Sequence, residues 1–475
     1  MNRVRHLIDG SQVDADDDAT FETKNPATGE THASVARGSA GDADAAVGAA
    51  RQAFDRGPWP TCSPDERATA LHGLADLILA HGEELAALDT AEMGKPISQA
   101  LHRDVPRAAE NFRFFADYAR LAADESIPMA TGHHCYTRRE PAGVVVAISP
   151  WNFPLMLASW KVAPALAFGN TVVLKPAEQA PSSCARLGEL ALEAGIPPGV
   201  LNVVHGFGPG EIGEALTVHP GVDLVTFTGE SATGRAIMAA AAPTLKRLSF
   251  ELGGKAANLV FADCDLDEAV EVSALAAFVN AGQVCLAGSR IYVERPVHDE
   301  FVERLVDAAE AMRTGDPMDA RTTVGPLASV EHHAKVTGYL AGAESAGAKR
   351  CCGGPTEGLW VRPTVLTNVT PDMRVCREEV FGPVVTVQPF DDEDEVLGLA
   401  NDTPYGLNAM AFTSDLARAH RVAARLQAGT VWVNCFNVRD LRVPFGGYKD
   451  SGVGREGGEH SREFFTEAKT VVMRV

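Results

Sequence analysis

At 475 residues the chain is too long for one compact core, so two large domains are the default reading. Hydrophobic residues make up 45% and charged residues 22%, ordinary proportions for a globular protein in water. A net charge of −21 argues against a nucleic-acid or anionic-membrane partner, because both need a basic face.

The opening MNRVRHLIDGSQVDADDD holds no apolar leader, and no run in the chain is long and apolar enough for a bilayer span. The nine cysteines fall at irregular positions, so reduced thiols and a cytoplasmic location are expected. Cys351 and Cys352 are adjacent in a Gly-rich stretch, CCGGPTEG, that reads as a loop. His133-His134 is a weak pair, no cluster has metal-ligand spacing, and no metal is expected. The acidic run DDEDE at 391–395 reads as a solvated turn or helix start.

Residues 1–40 alternate short apolar runs with turn signals and predict short strands and loops. From Ser63 to Leu121 apolar residues recur three and four apart, which predicts helices. Ser63 before Pro64 is a cap followed by a first-turn proline, and DVPRAAENFRFFADYARLAA predicts a second long helix. Residues 124–140 interrupt this pattern and read as an extended, projecting segment. Four Val-rich runs follow at 143–149, 170–176, 200–206 and 223–229, with helical stretches between them. Strands apolar on both faces predict a parallel sheet covered by helices, with ligands at the carboxyl ends of its strands. A second α/β unit begins after Leu252, with strands in ANLVFA, RIYVERP, PVVTVQPF and GTVWVN and helices near 296–313 and 329–346.

Several stretches carry chemistry. Gly208-Pro209-Gly210-Glu211-Ile212-Gly213 matches G-x-G-x-x-G between a strand and a helix, but Pro209 removes an amide and no acidic residue ends the next strand. It reads equally as a cofactor contact at Gly208 or as an ordinary turn. KPAE offers Lys175 and Glu178 at a strand end. A lysine can hold ribose hydroxyls, and a carboxylate accepts from a ribose diol while repelling a 2′-phosphate, which favours NAD; the competing reading is a surface ion pair. FTGES places Gly229 and the first amides of a helix where a pyrophosphate can bind, with Glu230 awkwardly beside it. In PWNFP, Asn152 is a fixed amide donor suited to an oxyanion, and Trp151 is equally a core residue. Glu251 opens ELGGK and Cys285 sits among small residues in NAGQVCLAGSR. A carboxylate that activates water and a thiol that attacks a carbonyl are complementary halves of covalent catalysis. Taken alone, Cys285 reads as a buried structural cysteine.

PWNFP, KPAE, FTGES, ELGGK with GQVCLAGSR, and EEVFGP (378–383) followed by PFGGYKDSGVGRE (444–456) together resemble the aldehyde dehydrogenase superfamily over nearly the whole chain. The resemblance implies a Rossmann-like NAD-binding domain (1–123 and 141–252), an α/β catalytic domain (253–445), and a β-arm (124–140 and 446–475) that pairs subunits into a homodimer or homotetramer. It implies Cys285 as nucleophile, Glu251 as base and Asn152 with the Cys285 amide as oxyanion hole, with Lys175 completing the catalytic set. The implied NAD contacts are Ser149, Pro150, Trp151, Lys175, Glu178, Gly208, Gly229, Glu230, Leu252, Glu379 and Phe381. Glu230 departs from the serine common in the family. The segments CFNVRDLRVPFGG (435–447) and AENFRFFAD (109–117) resemble the branch acting on 2-hydroxymuconic and 5-carboxymethyl-2-hydroxymuconic semialdehydes. Arg113, Arg439 and Arg442 are then candidate carboxylate forks, against the simpler reading of structural ion pairs such as Arg439 with Asp440. The runner-up is a broad aliphatic, amino- or betaine-aldehyde dehydrogenase.

Overall fold

The computed structural model describes residues 2–474. Its first sheet has eight strands in the spatial order Gly452–Val453, Arg247–Glu251, Leu224–Thr228, Val144–Ile148, Thr171–Lys175, Leu201–Val203, His6–Ile8 and Ser11–Val13. The five strands from Arg247–Glu251 to Leu201–Val203 run parallel. Successive valines feed opposite faces. Val145, Val172 and Leu174 enter one core with the helices Pro64–Ala80, Val105–Leu121 and Pro154–Ala167, whereas Val144, Val146 and Val173 enter another under Ala40–Arg56. Burial on both faces is why these strands are unbroken apolar runs.

From Val144–Ile148 the chain lays its next two strands to one side and the following two to the other. The crevice expected at such a switch point lies beyond Ile148 and Thr228, the residues from which PWNFP and FTGES lead off. Ser63 caps Pro64–Ala80 in a reciprocal capping box with Glu66, as its spacing predicts.

The second sheet has seven strands in the order Lys349–Pro355, Val361–Thr367, Val384–Phe390, Arg290–Glu294, Ala257–Val260, Asn408–Phe412 and Thr430–Val433, all parallel except the first pair. Cys351 and Cys352 lie on its edge strand rather than in a loop. Gly353 and Gly354 (φ +77° and +104°) accompany the register shifts that disguise this strand as a turn. DDEDE opens the helix Glu393–Asn401, with Asp392 as its cap.

Ser126–Pro128, His133–Pro141 and Thr466–Arg474 form a separate three-stranded arm. The stretch 446–475, expected as one arm element, is divided. Gly452–Val453 pairs with Phe250–Glu251 on the first sheet, and Gly458–Phe465 packs on Pro154–Ala167 before the arm strand begins. The reason is local: Leu252 N donates to Ser451 O and Ser451 Oγ donates to Gly253 O, which ties this segment to the seam between the sheets. No helix among the described residues is long and apolar enough to cross a membrane.

Asp89 is buried on the helix Gly82–Met93, and burial raises its carboxyl to about 7 despite the neighbouring Ser183 and Lys95. A carboxyl raised on folding contributes stability that is complete below about pH 4 and is lost as pH rises through 7. The melting temperature of Asp89→Asn should therefore climb relative to wild type between pH 5 and 7 and level off above that. A difference independent of pH would show that Asp89 is ionised throughout.

Candidate active site

Glu251 is the last residue of the strand Arg247–Glu251, and the next residues cross to the second sheet. The double glycine there is a matter of clearance. A Cβ on Gly254 would lie 2.4 Å from the Cys285 carbonyl oxygen, and one on Gly253 would lie 2.3 Å from the Glu379 carboxylate. Cys285 follows a loop in which Asn280 and Ala281 (both φ +53°) and Gly282 (φ +67°) are left-handed. Such backbone is costly outside glycine and persists only when its surroundings hold it. Here Gly282 meets the Gly382 carbonyl, where a Cβ would lie 2.2 Å away, so the Cys285 loop abuts the EEVFGP turn.

Glu251 and Cys285 line one cavity of about 610 Å³. Both Glu251 carboxylate oxygens are buried and lack a hydrogen-bond partner. Burial, reinforced by the charge of Glu456, raises the Glu251 carboxyl well above its usual range. Glu456 accepts from Lys161 Nζ at 2.9 Å, and Thr226 Oγ1 lies beside the pair. Burial pushes the Cys285 thiol up to about 12, with the Glu379 and Glu251 charges adding to the effect and Arg439 opposing it. Asn152 Nδ2 donates to Gln283 O at 2.9 Å and Asn280 Nδ2 donates to Asn152 O at 3.0 Å. These bonds pin the PWNFP turn to the Cys285 loop and use one of the two Asn152 N–H groups, so the other can serve an oxyanion.

A second cavity of about 330 Å³ shares Cys285, Leu157 and Thr228 with the first. Of the residues expected at the cofactor, Pro150, Trp151, Gly229, Glu230, Leu252, Glu379 and Phe381 line it. Trp151 stands edge-on to Phe381 at 5.4 Å, and His332 completes this aromatic wall with Nε2 at 2.7 Å from Phe381 O. Glu379 accepts from Gly254 N at 2.8 Å, and burial raises it to about 7. Ser149, Lys175, Glu178 and Gly208 lie off this wall. Ser149 is buried with a partnerless hydroxyl behind the turn. Lys175 is buried, donates to Pro176 O at 3.0 Å and lies 4.0 Å from Glu178. Glu178 reaches the cleft through Gln179, whose Nε2 donates to it at 3.1 Å. The Gly208 loop packs on Lys175, since a Cβ on Gly213 would lie 3.4 Å from Lys175 Cε. One expectation fails at FTGES: Gly229 N donates to Glu251 O at 3.1 Å, so this amide is committed to the sheet rather than open to a phosphate.

The three candidate arginines part company. Arg439 lines the larger cavity, stacked over Phe445 at 3.7 Å and Trp160 at 4.9 Å, and burial lowers it to about 10. Arg113 is half exposed and paired with Asp76 at 2.5 Å. Arg442 is exposed and forms a two-bond fork with Asp440. Neither lines the cavity, so both expectations are corrected, and Asp440 is the partner of Arg442 rather than of Arg439. Arg103 and Arg107 stand at the cavity instead.

A thiol, a buried carboxyl, an oriented amide and an aromatic-walled cleft meeting at one point are the parts of aldehyde oxidation. The sequence model of the aldehyde dehydrogenase family matches residues 13–471. The chain belongs to this family. A 2-hydroxymuconic semialdehyde dehydrogenase from Pseudomonas sp. (strain CF600) is 50% identical, with 100% of both chains covered. A 2-aminomuconic 6-semialdehyde dehydrogenase from Pseudomonas sp is 43% identical, covering 100% of this chain and 99% of the relative. Among solved structures, an indole-3-acetaldehyde dehydrogenase in complex with NAD+ superposes with a TM-score of 0.98 at 41% identity, covering 100% of this chain and 97% of that one. The protein is an NAD-dependent aldehyde dehydrogenase.

In this dehydrogenase the sequence reading passed over Lys161, Glu456, Lys335 and the Arg103–Arg107 pair. Lys161 had a signal: it is the one charged residue in the helix Pro154–Ala167, otherwise apolar or small, and it is fully buried. Alkylation of Cys285 by iodoacetamide, followed by peptide mass spectrometry, should be slow at pH 7 in the cofactor-free enzyme. It should rise by about tenfold per pH unit through pH 9, as expected for a thiol titrating above that window. A plateau below pH 8 would show a thiolate already formed.

Proposed function

We propose that the enzyme oxidises a carboxylated, muconic-type semialdehyde to the acid by covalent catalysis at Cys285. The thiol loses its proton to solvent and Sγ bonds to the aldehyde carbon as the carbonyl π pair moves onto oxygen, forming a thiohemiacetal oxyanion. Its oxygen carries the negative charge, opposite the open N–H of Asn152 and the Cys285 amide. The cleft lined by Pro150, Trp151, Leu252, Glu379 and Phe381 would hold NAD, which would supply the hydride acceptor for that carbon, and Cys285 would then carry an acyl thioester. Glu251, as carboxylate, takes a proton from water, the hydroxide oxygen adds to the thioester, and the carbon–sulfur bond breaks to release the acid while the departing sulfur takes the proton from Glu251 to regenerate the thiol. Lys161 and Glu456, buried behind Glu251, bear on its charge from opposite directions.

The observation carrying the substrate class is Arg439, a guanidinium held by aromatic stacking in the wall of the Cys285 cavity while its sequence neighbour Asp440 is taken by Arg442. A cation so placed favours an anionic substrate; Arg103 lines the same cavity, whereas Arg107 there is paired with Glu110 at 3.1 Å. The muconic-semialdehyde relatives support this reading. An uncharged aromatic aldehyde is the second reading, supported by the apolar lining of Phe153, Trp160, Phe436 and Phe445 and by the indole-3-acetaldehyde relative.

Arg439→Met should raise KM for a carboxylated semialdehyde by about 10- to 100-fold, the loss of a charge-assisted hydrogen bond. KM for an uncharged aromatic aldehyde should change far less, and Arg442→Ala should leave both values near wild type. Equal effects of Arg439→Met on the two substrates would reject carboxylate recognition in favour of the second reading.

A further inference from the structure

Glu230 and Lys335 face each other across the cofactor cleft. Glu230 follows the strand Leu224–Thr228 and precedes the helix Ser231–Ala241, so it is carried by the first sheet. Lys335 is on the helix Val330–Ser345, which packs on the EEVFGP turn of the second body through Val336 and Gly382. Lys335 Nζ lies 3.8 Å from Glu230 Oε1, and both residues line the cleft. Glu379 feels both charges, Lys335 lowering its proton affinity and Glu230 raising it.

We propose that the Glu230–Lys335 ion pair is a strap across the mouth of the cofactor cleft, broken when the dinucleotide enters and remade when it leaves. A carboxylate at the start of a helix opposes an anion arriving at that helix end, and this cost falls when the carboxylate is neutralised. Lys335 supplies that neutralisation in the free enzyme. A bound diphosphate competes for the same ammonium and leaves Glu230 without its counter-charge. Glu230 thus weakens cofactor binding and eases cofactor release, and it does so through Lys335. The Glu230 and Lys335 side chains are 68% and 39% exposed, so the pair is screened by solvent and its effect is modest, as suits a contact that opens at every exchange.

The test is NADH binding by fluorescence titration, with release followed by stopped flow, on wild type, Glu230→Gln, Lys335→Gln and the double variant at low and high salt. Glu230→Gln should bind NADH about three- to fivefold more tightly and release it more slowly, with the gain shrinking as salt rises. In the Lys335→Gln background the same substitution should give less than half of that gain, measured on a logarithmic scale. Glu230→Ser should repeat the result, excluding a fault of the glutamine side chain. Unchanged or weaker binding by Glu230→Gln would overturn the proposal. An equal gain with and without Lys335 would do the same, because Glu230 would then act on the phosphates alone.

Discussion

The active site depends on desolvation at the seam between the two sheets. Glu251 and Cys285 line one cavity there, both Glu251 carboxylate oxygens lack a partner, and burial is the largest influence raising the proton affinity of each group. A dry site strengthens every charge that forms within it, including an oxyanion opposite Asn152. The tight fit of Gly253, Gly254 and Gly282 against neighbouring groups keeps that seam closed, since a side chain at any of these positions would drive the sheets apart.

Charge is distributed with the same economy. The chain is strongly acidic, and at the reacting end of the cleft Arg439, Arg103 and Arg107 face Asp104, Glu110, Glu251 and Glu456 in one cavity wall, with Lys161 paired to Glu456. Arg439 influences Glu251, Glu456 and Cys285. A substrate carboxylate pairing with Arg439, as proposed, would therefore alter the electrostatics of all three. The proposed recognition and the proposed chemistry would then be linked through one side chain.

The sheet strands were legible because burial on both faces leaves a continuous apolar signature, and the motifs were legible because they terminate those strands. Glu251, Cys285 and Asn152 converge as their motifs imply. The arginines were harder, for a reason of helical phase. Arg103 and Arg107 are four apart and share a face, whereas Arg113 is six beyond Arg107 and points toward Asp76 on the neighbouring helix. The π-helical turn at Ala100–Asp104 shifts that phase further, and a window tuned to 3.6 residues does not register it. The Lys161–Glu456 pair joins positions far apart in sequence, so no local pattern announces it. The division of 446–475 was hidden similarly, because a two-strand contact with Phe250–Glu251 is a tertiary fact.

The state of Glu251 at rest is the claim on which the rest turns. The infrared difference spectrum of wild type minus Glu251→Gln, followed from acid to alkaline pH without cofactor, reports it directly. A positive band in the protonated-carboxyl stretching region is predicted to persist above the usual glutamate range before carboxylate bands replace it. Replacement within the usual glutamate range would contradict the account, since Glu251 would then be a solvated base that the seam does not desolvate.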